Sequence, residues 1–357
     1  MGGRLFDDEI PFFHRLRTGA YAAVLVALMV LALIHLKDVI QPFIIAIFVF
    51  LLLSPGARWL KSKNVPTVLS YLIVIGAFLL VLSGTSTWLY ADLSQMAEQL
   101  PTYTDRLNAL LASVEGKQIF GYTVTMEGMS SQISADGVQD GLLAVFGNAA
   151  SFFSGLVTVL VFLLFIILEA ETLPERIAAA YPAQTGALSG MMKEIGQGVN
   201  RYVVVKTFVS FGTGFVTAGI LMASGVPGWF LWGVLTFLLN YVPYIGSLIA
   251  IMPPSALALL TLDPVLAFTV IGLMAANQQL WGAFIETKMF GSSLDISPVM
   301  LLLITAFWFW LWGIIGMVLA VPMAVIAKIV LGNIDSTRPI AILLSERPPV
   351  EQSDSEE

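Results

Sequence analysis

From Pro227 to Leu262 the chain runs 36 residues without a charged side chain, and from Pro298 to Ala327 it does so again for 30. A helix rises about 1.5 Å per residue, so the first run would stretch about 54 Å against a bilayer hydrocarbon core of about 30 Å. Neither run fits one straight span. Each also carries a break in its middle, Val242-Pro243-Tyr244-Ile245-Gly246 in the first and Trp312-Gly313-Ile314-Ile315-Gly316 in the second. Proline removes a backbone donor and glycine loosens the helix. In hydrocarbon such a break survives only where protein or water satisfies the freed backbone groups. Two helical hairpins that enter and leave on the same side, with tips near the midplane, meet these constraints; two long kinked spans are the alternative.

The two runs resemble each other. A proline opens both, and Gly246 leads Ala250 as Gly316 leads Ala320. The rest of the chain is built of the same material. Only 11% of its residues are charged and 57% are hydrophobic, too few charges to cover a water-facing surface. Apolar runs predict spans at Gly19–Leu36, Val39–Leu53, Val65–Ala91, Leu142–Leu168, Val203–Ala223 and Val265–Ile285. The first is longer than a signal-peptide core and reads as a retained span. Ser54-Pro55-Gly56 is expected to break the second helix near its end. The fold class is therefore all-α and polytopic: six spans plus two inverted re-entrant hairpins, or eight spans.

Arginines and lysines near the span ends set orientation. Arg4, Arg15 and Arg17 precede the first span, Arg58, Lys61 and Lys63 follow the second, and Arg176, Lys193 and Arg201 follow the fourth. The acidic segment Asp92–Asp140 holds only Arg106 and Lys117. Both termini are thus expected in the cytoplasm and residues 92–140 outside. The first hairpin then enters from outside and the second from the cytoplasm, an inverted pair of the kind that marks a transport site. The expected organisation is a scaffold of spans one to three (1–91), an extracytoplasmic helical insert with a short strand near Tyr122, Val124 and Met126 (92–141), the fourth span with a cytoplasmic amphipathic helix (142–201), a transport half (202–332) and a disordered acidic cytoplasmic tail (333–357).

Three stretches, Leu238–Gly246 (LLNYVPYIG), Ile285–Pro298 (IETKMFGSSLDISP) and Gly313–Ile326 (GIIGMVLAVPMAVI), resemble the AI-2E family, the autoinducer-2 exporter or PerM-like permeases. The resemblance extends over nearly the whole chain, although Thr287 stands where the family commonly has proline. It implies a multi-pass transporter of the bacterial inner membrane, driven by an ion gradient or potential, and a homo-oligomer such as a pentamer. Members are linked to export of the quorum signal autoinducer-2, others to Na⁺(Li⁺)/H⁺ exchange. The absence of a Gly-x-x-x-x-Gly-Lys motif agrees with transport that does not use ATP.

The candidate path residues lie around the breaks and in the crossing between them. Asn240, Tyr241, Pro243, Tyr244, Gly246 and Ser247 surround the first tip, and Trp312, Gly313 and Gly316 the second. Their polar atoms either hold a small polar solute or a cation such as H⁺ or Na⁺, or only satisfy the broken backbone. Asn277, Gln278 and Gln279 sit inside an apolar crossing, where unpaired amides are costly; they either glue helices together or line the path. Glu286 and Lys288 end that crossing, and an ionisable group there is a functional candidate by default. Lys206 reads as a snorkelling side chain, Asp263 as a helix cap, and Gly212, Gly214 and Gly219 as sites of close helix packing. With no cysteine, two histidines and no His-Glu-x-x-His, neither enzyme chemistry nor a cofactor or metal is expected, and no basic stripe invites nucleic acid. Three functions remain: exporter of a small polar solute, cation/proton antiporter, and non-transporting assembly or sensor protein.

Overall fold

The computed structural model describes residues 9–99, 101–103, 105–106, 108–109, 118–119, 122–123, 155–243, 245–290 and 295–346. Helices dominate: α1 (Glu9–His35), α2 (Lys37–Lys61), α3 (Thr67–Glu98), α4 (Gly155–Glu169), α5 (Leu173–Ala180), α6 (Thr185–Ser224), α7 (Trp229–Leu239), α8 (Ile245–Thr261), α9 (Pro264–Gln278), a π-helical segment (Gln279–Ile285), α10 (Glu286–Phe290), α11 (Pro298–Gly332) and α12 (Arg338–Leu344). A small antiparallel ribbon, β1 (Gln118–Ile119) with β2 (Tyr122–Thr123), lies in the predicted insert and agrees with the strand expected at Tyr122; Val124 and Met126 fall outside the described residues. Four segments (α2, α3, 182–224 ending in α6, and α11) are long and apolar enough to cross a bilayer. The pair α4 and α5, bent by 62°, makes a fifth.

α6 is the hub. Its 40 residues pack against α2, α7, α9, the π segment, α10 and α11. Its C-terminus turns at Gly225, which holds φ +76°, a conformation that costs glycine nothing. α3 runs on past the apolar stretch to Glu98, so the third span and the start of the insert are one helix. Its C-terminal turns reach the base of the α7–α8 pair. The carboxylate of Asp92 accepts a hydrogen bond from the Leu231 backbone N–H at 3.0 Å, satisfying one of the free donors in the first turn of α7. Arg106 donates to the Leu260 carbonyl at the far end of α8. Asp92→Ala is therefore expected to cost about 1 kcal/mol of stability, read as a lowered unfolding midpoint of the detergent-purified protein.

The predicted break at Ser54-Pro55-Gly56 does not occur, since α2 continues to Lys61. Pro55 has no N–H to give the Leu51 carbonyl. That carbonyl instead accepts from Ser54 Oγ at 2.9 Å and from Asn200 Nδ2, on α6, at 3.0 Å. Side chains have replaced the lost helical bond, so the proline is tolerated within the helix.

Both uncharged runs fold back on themselves. In the first, α7 and α8 pack against each other across the turn 240–244. In the second, helical dihedrals fail at Trp312 (φ −133°) and Gly313 (φ +63°, ψ −144°), and the two arms of α11 pair as a hairpin. Trp308 clusters with Leu319 and Ala320, and Ile304 with Met323. In a straight helix residues 304 and 323 would lie about 28 Å apart.

The second tip sits against Leu33, Ile34, Ile40 and Ile44, at the turn between α1 and α2. Its first arm, 298–311, is about 21 Å long. α2 and α3 are antiparallel neighbours, so the α1–α2 turn lies at the same end as Asp92 and Met96, which hold the base of the first hairpin.

Two further expectations are corrected. Part of the tail predicted to be disordered is folded: α12, with Pro339 in its first turn, docks on α11 through Ala341. Asp295 ties it down, with Oδ1 accepting from the Glu346 N–H and Oδ2 pairing with Lys328 at 2.9 Å. Residues 347–357 lie outside the described residues. Gly219 packs against nothing and faces open space, whereas Gly212 meets the Trp281 ring and Gly214 the Gly233 carbonyl.

Candidate functional site

α6 presents Tyr202, Lys206, Thr207, Ser210, Thr213 and Thr217 toward the first hairpin on one side and toward α9, the π segment and α10 on the other. All but Thr207 are buried. Lys206 and Glu286 are the charged pair of this interior. Lys206 Nζ lies 2.7 Å from Glu286 Oε1 and 2.9 Å from Oε2, and the two side chains are only 6% and 19% exposed. Glu286 stands at the first residue after the π segment. Sequence reasoning weighed these residues separately, because a separation of 80 positions hides a pairing that only the packing of α10 on α6 creates. Arg201, one turn earlier, donates to the Met289 and Phe290 carbonyls, and the Tyr202 ring stacks on Phe290 with centroids 5.8 Å apart. Three side chains of α6 thus hold α10 in place.

The tip of the first hairpin rests beside this pair. Asn240 Nδ2 donates to Ser210 Oγ at 3.1 Å, and the Tyr241 hydroxyl shares a hydrogen bond of 2.7 Å with Thr207 Oγ1. Asn240 is 5% exposed. A side chain at Gly246 would overlap the Leu239 carbonyl oxygen, so the turn closes only because position 246 has none. Pro243 lies in the turn and Ser247 in the first turn of α8, while Tyr244 falls outside the described residues.

The predicted amide cluster is split by the helix. Asn277 and Gln278 are buried, and Gln279 faces outward. Asn277 Nδ2 donates to the Thr213 carbonyl and to Thr217 Oγ1, both at 3.0 Å. Asn277 Oδ1, Gln278 Oε1, Thr236 Oγ1 and the Tyr202 hydroxyl are buried without a hydrogen-bond partner among the described residues. Such groups are few in folded proteins, and leaving one unpaired costs about 1–3 kcal/mol. Asn277 and Gln278 stand just before a seven-residue π segment, a rare backbone form found frequently at functional sites.

The remaining candidates separate from this centre. Lys288 is exposed. Trp312 is buried at the second tip, where its indole N–H donates to the Leu33 carbonyl in the last turn of α1 at 3.1 Å. Gly316 lies against the Trp308 carbonyl as Gly246 does against Leu239. Asp263 caps α9, accepting from the Leu266 N–H at 3.1 Å, as the sequence suggests. A cavity of about 500 Å³, open to the outside, lies between the end of α3 and the base of the first hairpin, lined by Asp92, Gln95, Gln99, Tyr103, Arg106 and Trp229 among others.

A bundle with four or five helical segments long and apolar enough to cross a bilayer is the architecture of a multi-pass membrane protein. The sequence model of the AI-2E family transporters matches residues 22–336, and the chain belongs to that family. It is 29% identical over 310 residues to the AI-2 transport protein TqsA of Escherichia coli K12, covering 87% of this chain and 90% of TqsA. A Haemophilus influenzae protein named as a candidate transport protein is 30% identical over 346 residues, 93% of this chain and 97% of its own length. YhhT of Escherichia coli K12, also named as a candidate transport protein, is 26% identical over 322 residues, 90% of this chain and 92% of its own.

Proposed function

We propose that the protein is a secondary transporter of the bacterial inner membrane that exports a small polar solute, autoinducer-2 or a close chemical relative. The observation that carries this reading is the seam along α6 between the first tip and the π segment, where buried amide and hydroxyl groups have no hydrogen-bond partner among the described residues and Lys206 pairs with Glu286. A polyhydroxylated solute supplies the donors and acceptors that those groups lack. The printed name of the similar Escherichia coli protein supports autoinducer-2 as the solute. In this reading the chain crosses six times, with both termini in the cytoplasm and residues 92–140 outside. The hairpins are re-entrant, the first from outside and the second from the cytoplasm. Movement of the hairpin-bearing half (202–332) against a scaffold of the first four spans alternates access to the seam. The scaffold also forms the interface of a homo-oligomer, a pentamer by family resemblance.

A second reading, Na⁺(Li⁺)/H⁺ exchange, is favoured by a single feature, the half-buried carboxylate of Glu286 paired with Lys206. Liposomes holding the purified protein separate the two. Autoinducer-2 flux that requires the protein and is abolished by Asn277→Leu supports the exporter. This substitution removes two hydrogen bonds worth about 1 kcal/mol each, so the variant is expected to fold. Absence of solute flux, together with sodium-driven acidification or alkalinisation that Glu286→Gln abolishes, replaces the exporter by the antiporter. Full transport by Pro243→Ala combined with Gly316→Leu would rule out moving hairpin tips. A protein that carries neither solute nor ions but captures a partner through residues 92–140 would be an assembly or sensor protein.

A further inference from the structure

A second cavity, about 210 Å³, shares no lining residue with the polar seam and lies where the C-terminal end of α2, the start of α3 and the end of α4 meet. Its walls are apolar: Phe50, stacked on Tyr71 with centroids 5.2 Å apart, with Ala57, Ile167 and Ala170. Its rim is cationic, with Arg58 and Lys61. The rim carboxylate, Glu171, is already engaged. Lys61 Nζ lies 2.9 Å from it and the Thr67 hydroxyl donates to it at 3.0 Å. These hydrogen bonds, that from Lys61 first, hold its carboxyl below the ordinary carboxylate range. The Arg58 side chain has no hydrogen bond or ion pair among the described residues. Around the mouth, Trp59, Leu69, Leu72 and Leu168 turn large apolar surfaces outward, as lipid-facing side chains do.

We infer that this cavity is a binding site for an anionic phospholipid. The chemistry is that of an amphiphile. A phosphodiester fits the fork of the Arg58 guanidinium, which matches phosphate oxygens two at a time, and an acyl chain continues along Phe50 and Ile167 onto the apolar outer face. The position also fits. The cavity sits at the end of three helices, the level at which headgroups lie, and basic pockets between spanning helices are the usual seat of anionic lipid headgroups. A free anion would use the guanidinium and leave the apolar walls unoccupied. A zwitterionic lipid would use the walls and bring a cation toward Arg58. The bound lipid would wedge between α2, α3 and α4, reinforcing the contact that Lys61, Thr67 and Glu171 make there.

The test uses the purified full-length protein, stripped of lipid in an uncharged detergent. Phosphatidylglycerol in large excess over its dissociation constant is expected to raise the unfolding midpoint by about 5 °C and to survive as an adduct in native mass spectrometry. Phosphatidylcholine and inorganic phosphate at the same concentration are expected to do neither. Arg58→Gln should weaken phosphatidylglycerol binding about tenfold, and Lys63→Gln, one turn away and outside the cavity, should leave it unchanged. If Arg58→Gln fails to fold, Arg58→Lys keeps the charge, loses the fork and is expected to bind more weakly than wild type. Equal stabilisation by inorganic phosphate would make this an anion site and sink the lipid assignment. Equal stabilisation by phosphatidylcholine, or wild-type binding by Arg58→Gln, would do the same.

Discussion

Glu286→Gln is expected to destabilise the protein by about 3–5 kcal/mol, and Lys206→Met by a similar amount. Each substitution leaves the other charge inside a helical interface. At 6% exposure, Lys206 has little water to turn to. Losing both charges should cost far less than the sum of the single losses. Lys206→Met with Glu286→Leu fills the same space without charge, and exchanges of that kind are often neutral. The coupling is read from unfolding midpoints of the four proteins in detergent. A double variant that loses as much as the two single variants together would show that the pair contributes nothing as a pair. The cycle also separates structure from transport. If Glu286 and Lys206 only hold α10 against α6, the stable double variant transports. If Glu286 meets a solute or an ion, the double variant is folded and inactive.

The turn in the first run, the break in the second and the cap at Asp263 were legible in the sequence, because each follows from a local rule. An uncharged run too long for a bilayer must turn, proline and glycine mark where, and an aspartate before Pro264 caps a helix. Features that depend on a distant partner were not legible. Pro55 reads locally as a helix break, and only Asn200, brought from α6, shows why α2 passes through it. Lys206 reads locally as a snorkelling side chain. Its burial against Glu286 depends on how α6 lies across the end of the π segment, and the π segment itself leaves no mark in residue order. The partner of the second tip was hidden for a similar reason. The length of each run fixes how much chain turns back, but not which neighbour the turn meets. Trp312 is an example: at the sequence level it is an aromatic residue beside a break, and its hydrogen bond to the Leu33 carbonyl locates the tip against α1.

Gly246→Ala and Gly316→Ala are each expected to destabilise the protein by at least about 3 kcal/mol, at or above the upper end of ordinary overpacking. In both hairpins the first turn of the returning arm lies on the last turn of the outgoing arm. A methyl group at Gly246 would run into the Leu239 carbonyl oxygen, and one at Gly316 into that of Trp308. The obstacle is backbone held in a helix, so no rotamer change relieves the clash and the arms must move apart at the tip. Gly313→Ala adds a different strain, because φ +63° with ψ −144° is a region that side-chain-bearing residues avoid, at about 1–3 kcal/mol. Gly219→Ala and Gly272→Ala are the controls. A Cβ at either position meets nothing within 4 Å, and alanine is the better helix former by up to about 1 kcal/mol, so neither should lower the midpoint. The comparison tests whether the two glycine positions are equivalent, as the parallel between the two runs implies. Similar losses at 246 and 316, with none at 219 and 272, would show that both tips need the same close approach. A harmless Gly316→Ala would mean that the second run opens to a kinked helix without cost, and the twofold likeness would then be one of sequence alone.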